Sequence, residues 1–219
     1  MLILIHLLRN NENIVHLIGS VASEKHVNPY LIMHLFPKGD LSKYQTNGNG
    51  LSRSFKLDAI KDILNGMKFI HAKNIWHLDL AARNCLVTDD NRIKISDFGN
   101  ATYSNRHKIE LPAKVRVLKF NKNSIFEVNY RWMPPEVLRK QKITSKTDVW
   151  SFGVVIHEIC YAGKLPWPNL PILEDLPRAA EIMETEELLE TVAVPEIDKL
   201  MKNCLKNYKR RPAFSQLNI

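Results

Sequence analysis

The stretch His77-Leu78-Asp79-Leu80-Ala81-Ala82-Arg83-Asn84 decides the reading of this chain, together with Asp97-Phe98-Gly99 thirteen residues after Asn84. Two short apolar runs lie between them, Cys85-Leu86-Val87 and Ile93-Lys94-Ile95, joined by Asp89-Asp90-Asn91, a good turn former. That pattern predicts two paired strands. They bring the chain back to where it left, so Asp97 arrives beside Asp79 and Asn84. Two carboxylates and one amide then share one locus. A carboxylate there can accept or orient a hydroxyl proton, and the oxygens suit Mg²⁺ on phosphate groups.

Working outward, Tyr30-Leu31-Ile32-Met33 reads as a short strand after Asn28-Pro29. Pro37-Lys38-Gly39-Asp40 is a turn, and Asp40 is placed to cap a short helix through Tyr44. Gln45 to Ser52 reads as a polar connector; its Gly48 and Gly50 lack the third glycine, strand and lysine of a phosphate loop. Leu57, Ile60, Ile63, Leu64, Met67, Ile70 and His71 recur at helical spacing, which predicts an amphipathic helix over 55–73. Residues 146–161 are apolar almost all round, as in a central helix. A last helix is expected near 195–206, with Ile197, Leu200, Met201, Cys204 and Leu205 on one stripe. The whole reads as mostly helical, with a few small strands inserted.

With 219 residues, 45% of them apolar and 25% charged, the chain is long enough for one domain with a real core, and its composition argues against disorder as a whole. No run of apolar residues reaches the roughly 18–20 needed to cross a membrane. The apolar opening Met1 to Leu8 has neither a basic leader nor a small-residue cleavage site, so it reads as a buried helix end rather than a secretory signal. Cys85, Cys160 and Cys204 are far apart and odd in number, which suggests neither zinc nor disulfides and points to a reducing, intracellular setting. The net charge of +8 raises the question of nucleic acid. Its basic run, Arg106 to Lys122, has no aromatic interleaving of the RNA-binding kind, and acids gather between Glu174 and Glu190. No nucleic-acid partner is expected.

The ordered motifs carry a resemblance. His77 to Asn84 resembles the catalytic loop of protein kinases, and Asp97-Phe98-Gly99 their Mg²⁺-binding motif. Tyr130-Arg131-Trp132-Met133-Pro134-Pro135-Glu136 resembles the segment closing the activation loop, with Pro134 where alanine is usual. Asp148-Val149-Trp150-Ser151-Phe152-Gly153 resembles the start of the family's central helix, and Arg211-Pro212-Ala213-Phe214 its final motif. The resemblance covers essentially the whole chain. Ala81 stands where serine/threonine kinases usually have lysine, and Ala82-Arg83-Asn84 resembles the tyrosine-kinase loop. Trp132-Met133 is also typical of that type.

This resemblance implies an α+β kinase-like fold, of which this chain holds a mostly helical C-terminal lobe, 37–219, and an N-terminal-lobe remnant with hinge, 1–36. By alignment of Asn13-Ile14-Val15-His16-Leu17, the family's glycine loop, its strand lysine and most of the helix with the partner glutamate fall before residue 1. The expectation is an incomplete lobe that binds ATP poorly. The implied activity is transfer of the ATP γ-phosphoryl group to a protein tyrosine, with Mg²⁺ as cofactor; the alternative is a pseudokinase or truncated kinase acting as a binding module. The implied catalytic residues are Asp79, Arg83 and Asn84. Asn84 and Asp97 are the implied metal ligands, and Met33, His34, Phe36 and Leu86 the implied adenine contacts. Glu136 and Arg211 are expected to pair, Asp148 to anchor the catalytic loop, and His77 to bond backbone beneath it. Leu78 stands where the family has arginine, so pairing with a phosphorylated activation-loop residue is not expected. The implied setting is cytoplasmic, or the cytoplasmic side of a receptor.

Overall fold

A computed structural model describes residues 10–21, 30–46, 51–104, 108–110, 130–140, 142–164, 166–170, 175–185 and 192–219. Among them are six α-helices and four two-stranded sheets. The apolar opening, Gly48 and Gly50, and most of the basic run between Arg106 and Lys122 lie outside the described residues.

Helix α4, Thr147–Cys160, is the axis of the molecule. Every side chain from Thr147 to Ile159 is buried, as its all-round apolar sequence requires. Helix α2, Arg53–Ala72, lays Ile60, Ile63, Leu64, Met67 and Ile70 into the same core, and Ser52 caps it by accepting the Phe55 N–H at 3.2 Å. Helix α6, Pro195–Cys204, adds Ile197, Leu200, Met201 and Cys204. A Cβ at Gly153 would lie 2.8 Å from the Cβ of Cys204 and 2.9 Å from Leu205 Cγ, so the approach of α4 to α6 needs glycine there.

A second apolar cluster joins α4 to α3, Pro135–Lys140, and α5, Leu176–Thr185. Trp150 stacks on Trp167 there, centroids 5.7 Å apart, and Ala179, Ala180 and Met183 close it. The short helix α1, Leu41–Thr46, begins where Asp40 Oδ1 accepts the Lys43 N–H at 3.0 Å. It runs through Gln45 and Thr46, two residues beyond the Tyr44 end expected from the sequence. Gln45 is buried, and the Thr46 hydroxyl returns a hydrogen bond to the Lys43 carbonyl at 2.9 Å, so the last turn holds.

The sheets are small. β1, Leu17–Val21, pairs antiparallel with β2, Tyr30–Met33, through an irregularity between Leu17 and Gly19. β3, Ile75–Trp76, pairs with β6, Thr102–Tyr103, so Tyr103 is a strand residue; its side chain is exposed. β4, Cys85–Val87, and β5, Ile93–Ile95, form the expected hairpin, Cys85 opposite Ile95. β7, Lys108–Glu110, pairs with β8, Lys142–Thr144, and so places three residues of the long segment after Gly99 in a sheet.

The hairpin is locked to the helical body by Asp62 of α2. Its Oδ2 accepts the Ile93 N–H and the Arg92 Nε–H, both at 2.9 Å, and Oδ1 accepts Arg92 Nη2 at 2.5 Å. Residues 13–15 run alongside β5 in a parallel bridge, the Asn13 carbonyl accepting the Ile95 N–H at 2.8 Å. These contacts fix where β5 delivers Asp97.

Candidate active site

The backbone at His77 and Leu78 is set by Asp148 at the start of α4. Its Oδ2 accepts the His77 N–H at 2.7 Å and its Oδ1 the Leu78 N–H at 2.8 Å. His71 Nε2 lies 2.8 Å from the same Oδ2. Burial pushes the Asp148 carboxyl up. The His71 hydrogen bond and charge, with His77 and the Leu78 N–H, outweigh it and hold the group below the ordinary carboxylate range. The backbone at Leu78 is left-handed, φ 64°, which turns the chain sharply toward Asp79.

His77 ties this loop to the strand carrying Asp97. Its Nδ1 accepts the Asp79 N–H at 3.2 Å, so Nε2 carries the proton and donates to the Ser96 carbonyl at 2.9 Å. Its ring packs on Phe98 with centroids 5.0 Å apart. Ser96 in turn donates N–H and hydroxyl to the Asn84 carbonyl, at 2.8 and 2.9 Å. Asp97 follows in a left-handed conformation, φ 55°, which a short polar side chain tolerates, and its Oδ1 accepts the Gly99 N–H at 3.2 Å.

Asp79 is braced at both carboxylate oxygens. Arg83 Nη2 donates to Oδ1 at 2.5 Å, and Asn100 Nδ2 to Oδ2 at 3.3 Å. Asn84 donates its Nδ2 to the Asp79 carbonyl at 2.7 Å. Asp79, Arg83 and Asn84 are therefore brought together, and hydrogen bonds through His77 and Ser96 connect them to Asp97. Asn100 was missed by sequence reasoning; its only sequence signal is its place just after Asp97-Phe98-Gly99. Cys85, next to Asn84, is no nucleophile: burial pushes its thiol well up.

A cavity of about 270 Å³ opens beside Asp97, lined by Val15, Leu17, Leu31, Met33, Leu86 and Phe98 among others. Met33 and Leu86 thus face one apolar space. His34 and Phe36 are not among its lining residues: His34 is exposed, and the Phe36 carbonyl accepts the Gly39 N–H at 2.9 Å in the turn before α1.

Leu78 does not reach this site. It is buried with Trp76, Val137 and Ile143, an apolar seat for a residue that is arginine in the family. Trp132 lays its ring 5.0 Å from the Arg83 guanidinium and donates Nε1–H to Glu158 Oε2 at 2.8 Å. Arg211 and Glu136 form the expected two-pronged pair, at 2.7 and 3.2 Å, which ties α3 to the C-terminal segment.

The sequence profile of the protein tyrosine and serine/threonine kinase family matches residues 2–219. The chain belongs to the protein kinase family. Its fold is accordingly the α+β kinase-like fold, and the family is one of phosphotransferases. The chain is 31% identical over 214 residues to the tyrosine-protein kinase transforming protein Fps of avian sarcoma virus (strain PRCII), covering 95% of this chain and 37% of that protein. Identity is 34% over 211 residues to the tyrosine-protein kinase csk-1 of Caenorhabditis elegans, covering 95% and 36%. It is 35% over 191 residues to protein-tyrosine kinase 6 of Mus musculus, covering 86% and 39%. The chain thus spans less than two fifths of the length of these relatives.

Among the described residues, no three His, Cys, Asp or Glu side chains gather as a metal site. The side chains that the resemblance implies for a metal, Asp97 and Asn84, would offer one carboxylate and one amide oxygen, the Asn84 nitrogen being bonded to the Asp79 carbonyl. Such a sparse all-oxygen set fits Mg²⁺, which keeps waters and leans on substrate phosphates. No helix among the described residues is long and apolar enough to cross a membrane.

Proposed function

We propose that this kinase lobe transfers the γ-phosphoryl group of ATP to a tyrosine hydroxyl of a protein substrate. The observation that carries the reading is the bracing of Asp79. Its carboxylate is held by Arg83 and Asn100, and its backbone by His77 and Asn84. A carboxylate fixed this way is a proton acceptor in a set position. Asp79 takes the proton of the tyrosine hydroxyl as that oxygen bonds to the γ-phosphorus; the bond from phosphorus to the β–γ bridging oxygen breaks, and ADP leaves. Asn84 and Asp97 offer the oxygens for Mg²⁺, which when bound neutralises charge on the phosphates. Met33 and Leu86 supply apolar walls for adenine, with His34 and Phe36 on the adjoining hinge of the 1–36 portion.

Tyrosine is favoured over serine by Ala81 and Arg83, and by relatives that are tyrosine kinases by name. A cytoplasmic setting accords with the three cysteines, all free thiols. The test is phosphoamino-acid analysis after incubation with Mg²⁺–ATP and a peptide mixture carrying tyrosine, serine and threonine acceptors. Phosphotyrosine alone is the expected product. Phosphoserine or phosphothreonine would overturn the specificity, and nucleotide binding without transfer would assign a binding module instead.

A further inference from the structure

We propose that Glu158 and Trp132 are positioning residues that hold Arg83 against Asp79, so that the seating of the 130–132 segment sets the geometry of the proton acceptor. The proposal rests on the reading of Asp79 given above.

The contacts form a continuous path. Glu158, inside α4, is 4% exposed. Its Oε2 accepts the Trp132 indole N–H at 2.8 Å and the Ala82 backbone N–H at 3.1 Å. One carboxylate oxygen therefore grips both the activation-segment end and the catalytic loop. Ser151, also on α4, donates its hydroxyl to the Trp132 carbonyl at 2.7 Å, so the backbone of Trp132 is fixed as well. The Trp132 ring then lies 5.0 Å from the Arg83 guanidinium, within cation–π range. Arg83 completes the path at Asp79 Oδ1, 2.5 Å away.

Core packing alone does not account for this. No cation lies within ion-pairing distance of Glu158 among the described residues, and the donors to its carboxylate there are two neutral N–H groups. Burial consequently pushes its carboxyl above the ordinary range, against the pull of those two bonds and of the Arg83 charge. A buried carboxylate held by neutral donors is costly for the fold. What it secures is position: two segments far apart in sequence are fixed relative to each other at the catalytic loop. A tryptophan also need not have a partner here, since the buried Trp150 Nε1 has none among the described residues.

The test uses the 219-residue chain labelled with ¹⁵N-arginine and ¹⁵N-tryptophan, the Arg83 signals assigned with Arg83→Lys. In the parent chain, hindered rotation should separate the Arg83 Nη resonances. Glu158→Gln keeps the shape and weakens the acceptor. It should shift the Trp132 indole N–H and broaden or merge the Arg83 signals. Trp132→Leu removes ring and N–H and should merge them fully, whereas Trp132→Phe, which keeps a ring, should restore part of the separation. Trp167→Phe, in the other apolar cluster, should leave Arg83 unchanged. In transfer assays the first two variants should lose kcat by about tenfold to a hundredfold, the order a small misplacement costs, with KM for ATP unchanged. Arg83 signals indifferent to Glu158→Gln in a folded chain overturn the proposal, even if Trp132→Leu fails to fold. Failure of the Asp79 reading shows separately, as transfer untouched by Asp79→Asn.

Discussion

Leu78 sits in a left-handed backbone conformation, φ 64°, and Asp148 holds it there by accepting its N–H at 2.8 Å. A left-handed leucine costs on the order of 1 kcal/mol or more, which the rest of the structure must offset. Asp148→Asn replaces one acceptor oxygen by a donor and removes the charge facing His71. The expected loss is about 3 kcal/mol, that of breaking a buried charged network. The folded carboxyl titrates below its unfolded value of 3.8, so its contribution is complete above that pH and is lost as pH falls through the folded value. Denaturant titrations between pH 2 and 7 check both points: the parent should lose this increment in acid, and Asp148→Asn should lack it throughout.

Leu78 itself should resist restoration of the family arginine. Its seat among Trp76, Val137 and Ile143 offers a guanidinium no partner of its own among those side chains. Leu78→Arg should therefore cost about 3 kcal/mol for an unpaired buried charge, whereas Leu78→Met should cost under about 1.5 kcal/mol as a volume-conserving change. Equal melting temperatures for the two variants would show that the position opens to solvent.

Glu136 and Arg211 make the second buried charged contact that stability depends on. The Arg211 side chain is wholly buried and the Glu136 side chain 19% exposed, with a further bond from Arg211 Nη1 to the Lys146 carbonyl at 3.0 Å. Arg211→Ala leaves Glu136 without its cation and should cost about 3–5 kcal/mol. Thermal unfolding checks it, and an unmoved midpoint would mean that the pair is not energetically coupled to the fold.

The long elements were legible because their patterns are long. Helix α4 announces itself by apolar residues on almost every side, α2 by its 3.6-residue period, and the β4–β5 hairpin by its turn. β1 escaped because Gly19 and an irregular register interrupt its alternation, and β3 and β6 are two residues each, too short for any period to register. α5 carries Leu176, Ala179, Ala180 and Met183 at helical spacing, but two of these four are alanines, too small to make a strong apolar stripe between the acidic residues. At the site, the roles of Asp148, His77, Glu136 and Arg211 were expected from the motifs, and the geometry shows how each bonds. Asn100, Trp132 and Glu158 were not legible as contacts of the catalytic loop. Their partners lie 21, 50 and 76 residues away, Asp79 for Asn100, Ala82 for Trp132 through Glu158, and Ala82 for Glu158. Only the packing of α4 against the loop brings them together.

The proposed chemistry of the site rests on Asp79. Single-turnover transfer from Mg²⁺–ATP to a tyrosine copolymer, compared between the parent chain and Asp79→Asn, tests it most directly. Asparagine keeps the shape and can still meet Arg83 and Asn100 in part, so the melting temperature should barely move. The rate should fall by about 10²–10⁴, the usual contribution of a positioned proton acceptor. Equal rates for the two chains would contradict the assignment of Asp79 and, with it, the proposed chemistry of the site.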